Sequence, residues 1–364
     1  MVDSSRKYWA DYVKAAAIWL MVMCHFGLGP ESLAMVIYSF HMPVFFLVSG
    51  YFDKGRPLSM ELVRHNARLL VVPYFFFSIC ALSICWISPM VHPDMFYGDG
   101  SVAHSLGRAV VGMLLMDNTV RPMSYMPCGA LWFLVALFEV KLAFAAMCWC
   151  WRRCKWAIVA IVAAGVVLYE CHVPYFSLDS AAMALPFYAI GFALKRLDVV
   201  ERVDKRWMCA ALAALCWAYV AFVSPLNGRI SINSAFTGRC APLCYVNGVI
   251  GSLALIFTCR MPRRRQGVQG EATLAEVARG DAGRGDVVQR IGACTLTILG
   301  THSYVNLLRK VVLVYGFAVA VNDIPQWCNV LFSVLALFVG MWIHEFLAAR
   351  LPWAVGKDVG KIVS

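Results

Sequence analysis

The feature that most limits how this chain can fold is a succession of apolar runs, each about 20 residues long. As a helix, a run of that length crosses the roughly 30 Å hydrocarbon core of a bilayer. Helices also satisfy their own backbone hydrogen bonds within one segment, which lipid requires. Such runs can be placed at residues 8–28, 33–52, 67–91, 130–150, 156–172, 181–197, 207–224, 240–259, 293–317 and 328–348. Composition points the same way. The chain is 61% hydrophobic and 15% charged, against about 45–50% and about 25% in a soluble domain. An all-α integral membrane protein with about ten transmembrane helices is expected.

The basic residues orient it. They cluster in every second connection: Arg6, Lys7 and Lys14; Lys54, Arg56, Arg64 and Arg68; Arg152, Arg153 and Lys155; Lys195 to Arg206; Arg260 to Arg290; and Arg350, Lys357 and Lys361. Positive charge stays on the cytoplasmic side, so both termini are expected there. The net charge of +11 then encodes topology, and no nucleic-acid partner is expected. The first run is too long and too polar for a cleaved leader and is expected to remain as a helix. The 15 cysteines lie mostly inside apolar runs without metal-ligand spacing, so they read as small packing residues and no metal is expected. Residues 1–350 are expected to form one ten-helix domain that includes a cytoplasmic loop, 261–291, with 351–364 as a cytoplasmic tail. That loop is rich in Arg, Gly and Gln, and only Glu271 to Val277 has the pattern of a helical turn. The outer connection 92–129 holds an apolar stretch, Leu106 to Met116, too short to span. The expected location is the plasma membrane, with several passes through the lipid bilayer.

Against this apolar background a few polar residues stand out. Asp11, Lys14, His25 and His41 all fall inside apolar runs. A Lys or Asp costs roughly 2.5–3.5 kcal/mol at mid-membrane on insertion scales, so such residues usually have a use. Lys14 and His25 are separated by 11 residues. On a helix that spacing puts them within about 20° of one azimuth and about 16 Å apart along the axis. Asp11 lies one turn before Lys14 and can pair with it. In His41-Met42-Pro43 an imidazole stands beside an expected helix break, and Ser49-Gly50 permits close helix packing. Arg64 and Arg68, at i and i+4, share one face at the cytoplasmic rim, an arrangement that suits an anionic cofactor entering from inside. Val72-Pro73 is expected to break or kink the third helix. Taken alone, Lys14 also fits a cation reaching the inner interface, His25 a satisfied histidine at a helix end, and the arginine pair a positive collar.

Together these residues resemble a family. Asp11-x-x-Lys14-x10-His25, Phe40-His41-Met42-Pro43-x-Phe45-Phe46-x-x-Ser49-Gly50-Tyr51 and Arg68-x4-Pro73 are similar to the opening signature of integral-membrane acyltransferase family 3. The Phe-His-Met-Pro-x-Phe-Phe form is closest to its branch resembling fucose 4-O-acetylase. Leu131-Trp132-Phe133-Leu134 and Leu296-Thr297-Ile298-Leu299-Gly300-Thr301-His302-Ser303 add weaker matches. Lys14 stands where many members carry Arg. Glu139 follows Trp132 at a wider spacing than the Trp–Glu pair of the polysaccharide-modifying branch.

The resemblance implies transfer of an acyl group, usually acetyl from acetyl-CoA, to a hydroxyl of a sugar, a cell-surface glycan or a lipid-linked sugar acceptor. His25 would serve as general base or acyl relay, since an unperturbed imidazole titrates near ~6.5. Lys14, Arg64 and Arg68 would hold the CoA phosphates. His41 and His302 would orient the acceptor or relay protons, and Ser49 and Trp132 would contact it. The rival expectation is a secondary transporter or flippase in which Asp11, Lys14 and His25 form an ion relay.

Overall fold

The computed structural model describes residues 8–27, 29–91, 102–116, 129–153, 156–171, 173, 175–261, 286–319 and 323–357. Among these the architecture is all helical, with no strand; the one exception to helix and coil is an isolated bridge between Ser231 and Phe236. In chain order the helices are α1 (Tyr8–His25), α2 (Glu31–Tyr51), α3 (Met60–Asn66), α4 (Val72–Val91), α5 (Val102–Leu115), α6 (Trp132–Arg153), α7 (Trp156–Glu170), α8 (Leu178–Arg196), α9 (Arg206–Val223), α10 (Ala241–Arg260), α11 (Val287–Ala293), α12 (Thr295–Lys310) and α13 (Gln326–Arg350). All ten apolar runs are thus helical, most with ends within a few residues of those expected.

Among the described residues, seven helical segments are long and apolar enough to cross a membrane: Glu31–Tyr51, Met60–Ile84, Gly129–Trp151, Tyr175–Arg196, Arg206–Asn227, Ala241–Arg260 and Gln326–Arg350. The other three runs form shorter or more polar helices. Helix α1 carries Asp11, Lys14 and His25 in 18 residues. Helix α7 has 15 residues, about 22 Å of axis. Helix α12 holds His302, Arg309 and Lys310 in 16 residues and continues as a π turn over Val311–Gly316. In the outer connection α5 is likewise short, at 14 residues.

Local chemistry explains where the structure departs from the sequence reading. The third helix opens at Met60, well before residue 67, because the Ser59 hydroxyl accepts from the Leu62 N–H at 3.2 Å and caps it. Of the break or kink expected at Pro73, no break occurs: a π turn, Ala67–Val71, leads straight into α4. One widened turn accommodates the N–H that Pro73 lacks. No break occurs at Pro43 either, since α2 runs through it. The Pro43 ring lies against Gly248, where an added Cβ would come within 3.1 Å of it, so packing holds the turn closed. The end of the 261–291 loop is not linker. Asp286 accepts from the Gln289 N–H at 3.0 Å and starts α11. The expected turn at 271–277 lies outside the described residues.

One apolar core runs from Trp9 to Val355 and joins all the long helices. Small residues set its tightest contacts, as is usual where lipid supplies no drive for helix association. The closest lies between α2 and α8. A Cβ on Gly50 would sit 2.0 Å from the Tyr188 carbonyl oxygen, and one on Gly191 would sit 1.9 Å from that of Leu47. Helix α1 meets α11 in the same way, with Gly292 against the Asp11 carbonyl.

Candidate active site

Helix α1 delivers its polar residues to two places. Near its start, Lys14 Nζ pairs with Asp11 Oδ1 at 2.7 Å, and the Asp11 side chain is largely buried. At its far end His25 opens onto a cavity of about 290 Å3. Tyr38, His41 and Met42 of α2 form one wall of that cavity, and Gly129, Ala130 and Trp132 at the start of α6 form another. Residues 229–234, between α9 and α10, supply Arg229, Ser231, Asn233 and Ser234, and Leu299 of α12 closes the space beside Met21. Of the residues expected at the acceptor, His25, His41 and Trp132 line this one cavity.

His302 does not line it but holds His25 from behind. Its Nε2 lies 3.1 Å from His25 Nδ1, with the ring centroids 5.0 Å apart. Its Nδ1 lies 2.9 Å from the Leu299 carbonyl oxygen. A carbonyl only accepts, so His302 Nδ1 carries the proton and, in the neutral ring, its Nε2 is an acceptor. His25 Nδ1–H must then be the donor in the histidine pair. That leaves His25 Nε2 with a lone pair and, among the described residues, no hydrogen-bond partner. The same logic applies to His41. Its Nδ1–H donates to the Ile37 carbonyl at 2.9 Å, leaving Nε2 as the acceptor, and its ring meets Tyr38 edge-on at 5.1 Å. Two backbone carbonyls therefore set the tautomers of the histidines around the cavity.

The end of α1 is held by a group the sequence reading left without a role. Arg309 is buried, with 4% of its surface exposed. Its Nη1 donates to the Phe26 carbonyl at 2.9 Å and to Asn329 Oδ1, and its Nε and Nη2 donate to Asn306 Oδ1 at 3.2 and 2.9 Å. Asn329 Nδ2 donates in turn to the Gly27 carbonyl at 3.2 Å, and Asn306 Nδ2 reaches the His25 carbonyl at 3.5 Å. A cation and two amides thus satisfy the carbonyls just where the α1 dipole ends, which favours positive charge. Buried without a carboxylate among these contacts, the guanidinium is balanced by oxygen dipoles.

The residues expected at a CoA site divide. Arg64 and Arg68, both exposed, line a separate pocket of about 590 Å3 together with Arg56, Ser59, Glu61, Leu62 and His65. The spacing that put the two arginines on one face survives the π turn between them. Lys14 lines neither pocket and remains with Asp11. Ser49 is half-buried, next to the Gly50–Tyr188 contact, and also lines neither. Glu139 is half-buried in α6 away from both.

Sequence reasoning missed Tyr38, Arg229, Ser231 and Asn233. A signal was available for the last three. Residues 229–233 read Arg-Ile-Ser-Ile-Asn, and Ile230 and Ile232 are buried in the core, with Ile232 also bordering the cavity alongside Arg229, Ser231 and Asn233. Alternation of that kind marks a segment with one buried face, extended here only as far as Ser231 before a 3-10 turn over Ile232–Ser234. The Arg309 clamp left no such trace, because its partners include the Phe26 main-chain carbonyl, 283 residues away.

No curated protein and no solved structure matches the chain. A family model described as an acyltransferase domain, that of acyltransferase family 3, matches residues 7–345 and so takes in α1 with its histidine, both pockets and the Arg309 clamp. With seven helices among the described residues long and apolar enough to span a bilayer, and a match over nearly its whole length, the chain is a membrane protein that belongs to acyltransferase family 3.

Proposed function

We propose that the protein is an O-acyltransferase that moves an acyl group, acetyl in the simplest case, from cytoplasmic acyl-CoA to a hydroxyl of a sugar in a cell-surface glycan or its precursor. The observation that carries this reading is the chain from the Leu299 carbonyl through His302 to His25, which leaves an unprotonated His25 Nε2 facing a cavity. That nitrogen takes the proton as the acceptor oxygen bonds to the thioester carbonyl carbon. His25 Nδ1–H stays on His302 Nε2, which stabilises the imidazolium that forms. As the carbon–sulfur bond breaks, His25 returns its proton to the departing thiolate, so the ring ends as it began. His41 Nε2 accepts from a second hydroxyl and orients the sugar, and Trp132 offers an apolar face to its ring.

Acyl-CoA would be met at the basic pocket, where Arg56, Arg64 and Arg68 match its phosphates in charge. Lys14, held by Asp11, would lie between the two ends along α1. In this reading α1, α7 and α12 also cross the bilayer, giving ten spans with both termini cytoplasmic in the plasma membrane. The family resemblance to the fucose 4-O-acetylase branch, carried by Phe40 to Phe46, favours a sugar acceptor.

The test is transfer of radiolabelled acetyl from acetyl-CoA by purified protein. Label should reach an acceptor with wild type and not with His25→Ala. Transfer that continues without His25 would remove the mechanism, and failure of acyl-CoA to bind would remove the enzyme reading itself.

A further inference from the structure

We propose that the acceptor taken by the His25 cavity carries an anionic group, a carboxylate or a phosphate, beside the hydroxyl that is acylated, and that Arg229 reads that charge. The inference rests on the acyl-transfer reading for the hydroxyl but on separate atoms for the charge.

Among the described residues, one guanidinium lines the cavity and no carboxylate does. Arg229 is exposed, so its charge is not spent inside the protein. Its guanidinium carbon stands 5.1 Å from the Tyr38 ring centroid. Tyr38 lies one helical turn before His41, so this stacking holds the cation over the same wall that carries the histidine. A guanidinium has five N–H donors in a planar fork. Tyr38 covers one face, and the N–H donors at the edge suit the paired oxygens of a carboxylate or phosphate.

The segment that bears Arg229 is rigid, as selective recognition requires. Asn227 is fully buried and acts as its anchor. Asn227 Nδ2 donates to the Thr237 carbonyl at 2.8 Å, the Cys240 N–H donates to Asn227 Oδ1 at 2.8 Å, and the Arg239 N–H donates to the Asn227 carbonyl at 2.9 Å. Gly238, at φ 80°, fits because a Cβ there would lie 2.4 Å from that carbonyl. Ser231 and Phe236 exchange both of their backbone hydrogen bonds, at 2.9 and 2.8 Å. Ser180 of α8 donates to the Asn233 carbonyl at 3.1 Å. Independently, Asn233 Oδ1 is buried and has no protein partner. An orphaned polar atom beside a cavity is accounted for when a ligand group visits it. An acceptor hydroxyl or ammonium would do so, while the anion sits on Arg229. At about 290 Å3 the space lies at the small end of the ligand-site range of roughly 300–1,000 Å3, enough for one sugar unit.

Three probes test this: methyl β-D-glucoside, which is neutral, methyl β-D-glucuronide, which adds a carboxylate, and glucose 1-phosphate. Their affinities would be measured by thermal stabilisation of the purified full-length protein, wild type and Arg229→Gln, with label transfer from acetyl-CoA followed in parallel. At least one charged probe should bind about tenfold more tightly than the glucoside. Whichever of the two does so distinguishes carboxylate from phosphate. Arg229→Gln should erase the advantage and Arg229→Lys should keep part of it. Equal affinity for neutral and charged probes, an advantage that survives Arg229→Gln, or no binding of any probe would overturn the proposal. Charged probes that bind through Arg229 while label never leaves acetyl-CoA would instead overturn the acyl-transfer reading and leave the anion subsite standing.

Discussion

The His25 cavity and the basic pocket hold their polar groups by opposite means. In the His25 cavity each functional atom is fixed by a neighbour: Leu299 sets His302, His302 sets His25, Ile37 sets His41, and Arg309 holds the end of the helix beneath them. In the basic pocket Arg56, in the loop before α3, and Arg64 and Arg68, on the helix that follows, are exposed long side chains. A fixed group can act on one bond in one geometry. A set of solvated cations can gather a flexible polyanion but directs nothing. In the proposed reading, the difference separates the place where bonds change from the place where acyl-CoA is caught.

That contrast can be broken by mutation, and the largest effect is expected at His25. His25→Ala should lower kcat by about 10³-fold or more, with little change in KM for acyl-CoA. At His302 the tautomer is at stake. His302→Leu should lower kcat by about 10²-fold, whereas His302→Gln, whose amide oxygen can accept from His25 Nδ1–H, should recover part of the loss. Equal loss in both variants would show that packing, not the acceptor, is what His302 supplies. Arg309→Met should cost about tenfold in kcat by letting the end of α1 shift, again with KM for acyl-CoA unchanged, and Arg309→Lys should fall between. The smallest effect on kcat is expected at the rim. Arg64→Ala with Arg68→Ala should leave kcat near wild type, raise KM for acyl-CoA by about tenfold, and flatten the rise of that KM with ionic strength. A drop in kcat there would erase the division between the pockets.

How much of this could be read from residues alone depended on the distance over which the information lies. The spans were legible because a 20-residue apolar run is a local property, and the Arg64–Arg68 face was legible because i and i+4 are neighbours on any helix. Lys14 and Asp11 pair for the same reason. The His25–His302 pair joins residues 277 apart, so each histidine could be singled out but not their relation. The break expected at Pro43 does not occur, nor does one at Pro73, because a proline removes one hydrogen bond and whether the helix then breaks is decided by what packs there. Gly248 beside the first and a π turn before the second kept both helices whole. Arg309 was invisible as a functional residue because it binds carbonyls, which every residue has.

The glycine contacts between α2 and α8 have a mechanical consequence. Backbone lies directly on backbone there, with carbonyl oxygens occupying the space where a side chain would begin. Sliding one helix past the other by a single residue would drive a Cβ into that oxygen, so the seam has no slack in translation. Helix α2 carries Tyr38 and His41, and α8 carries Ser180, which grips the segment bearing Arg229 and Asn233. Both of these sides of the cavity are therefore tied to the same close-packed seam. Adaptation to an acceptor falls to the remaining sides, at the end of α1 and the start of α6.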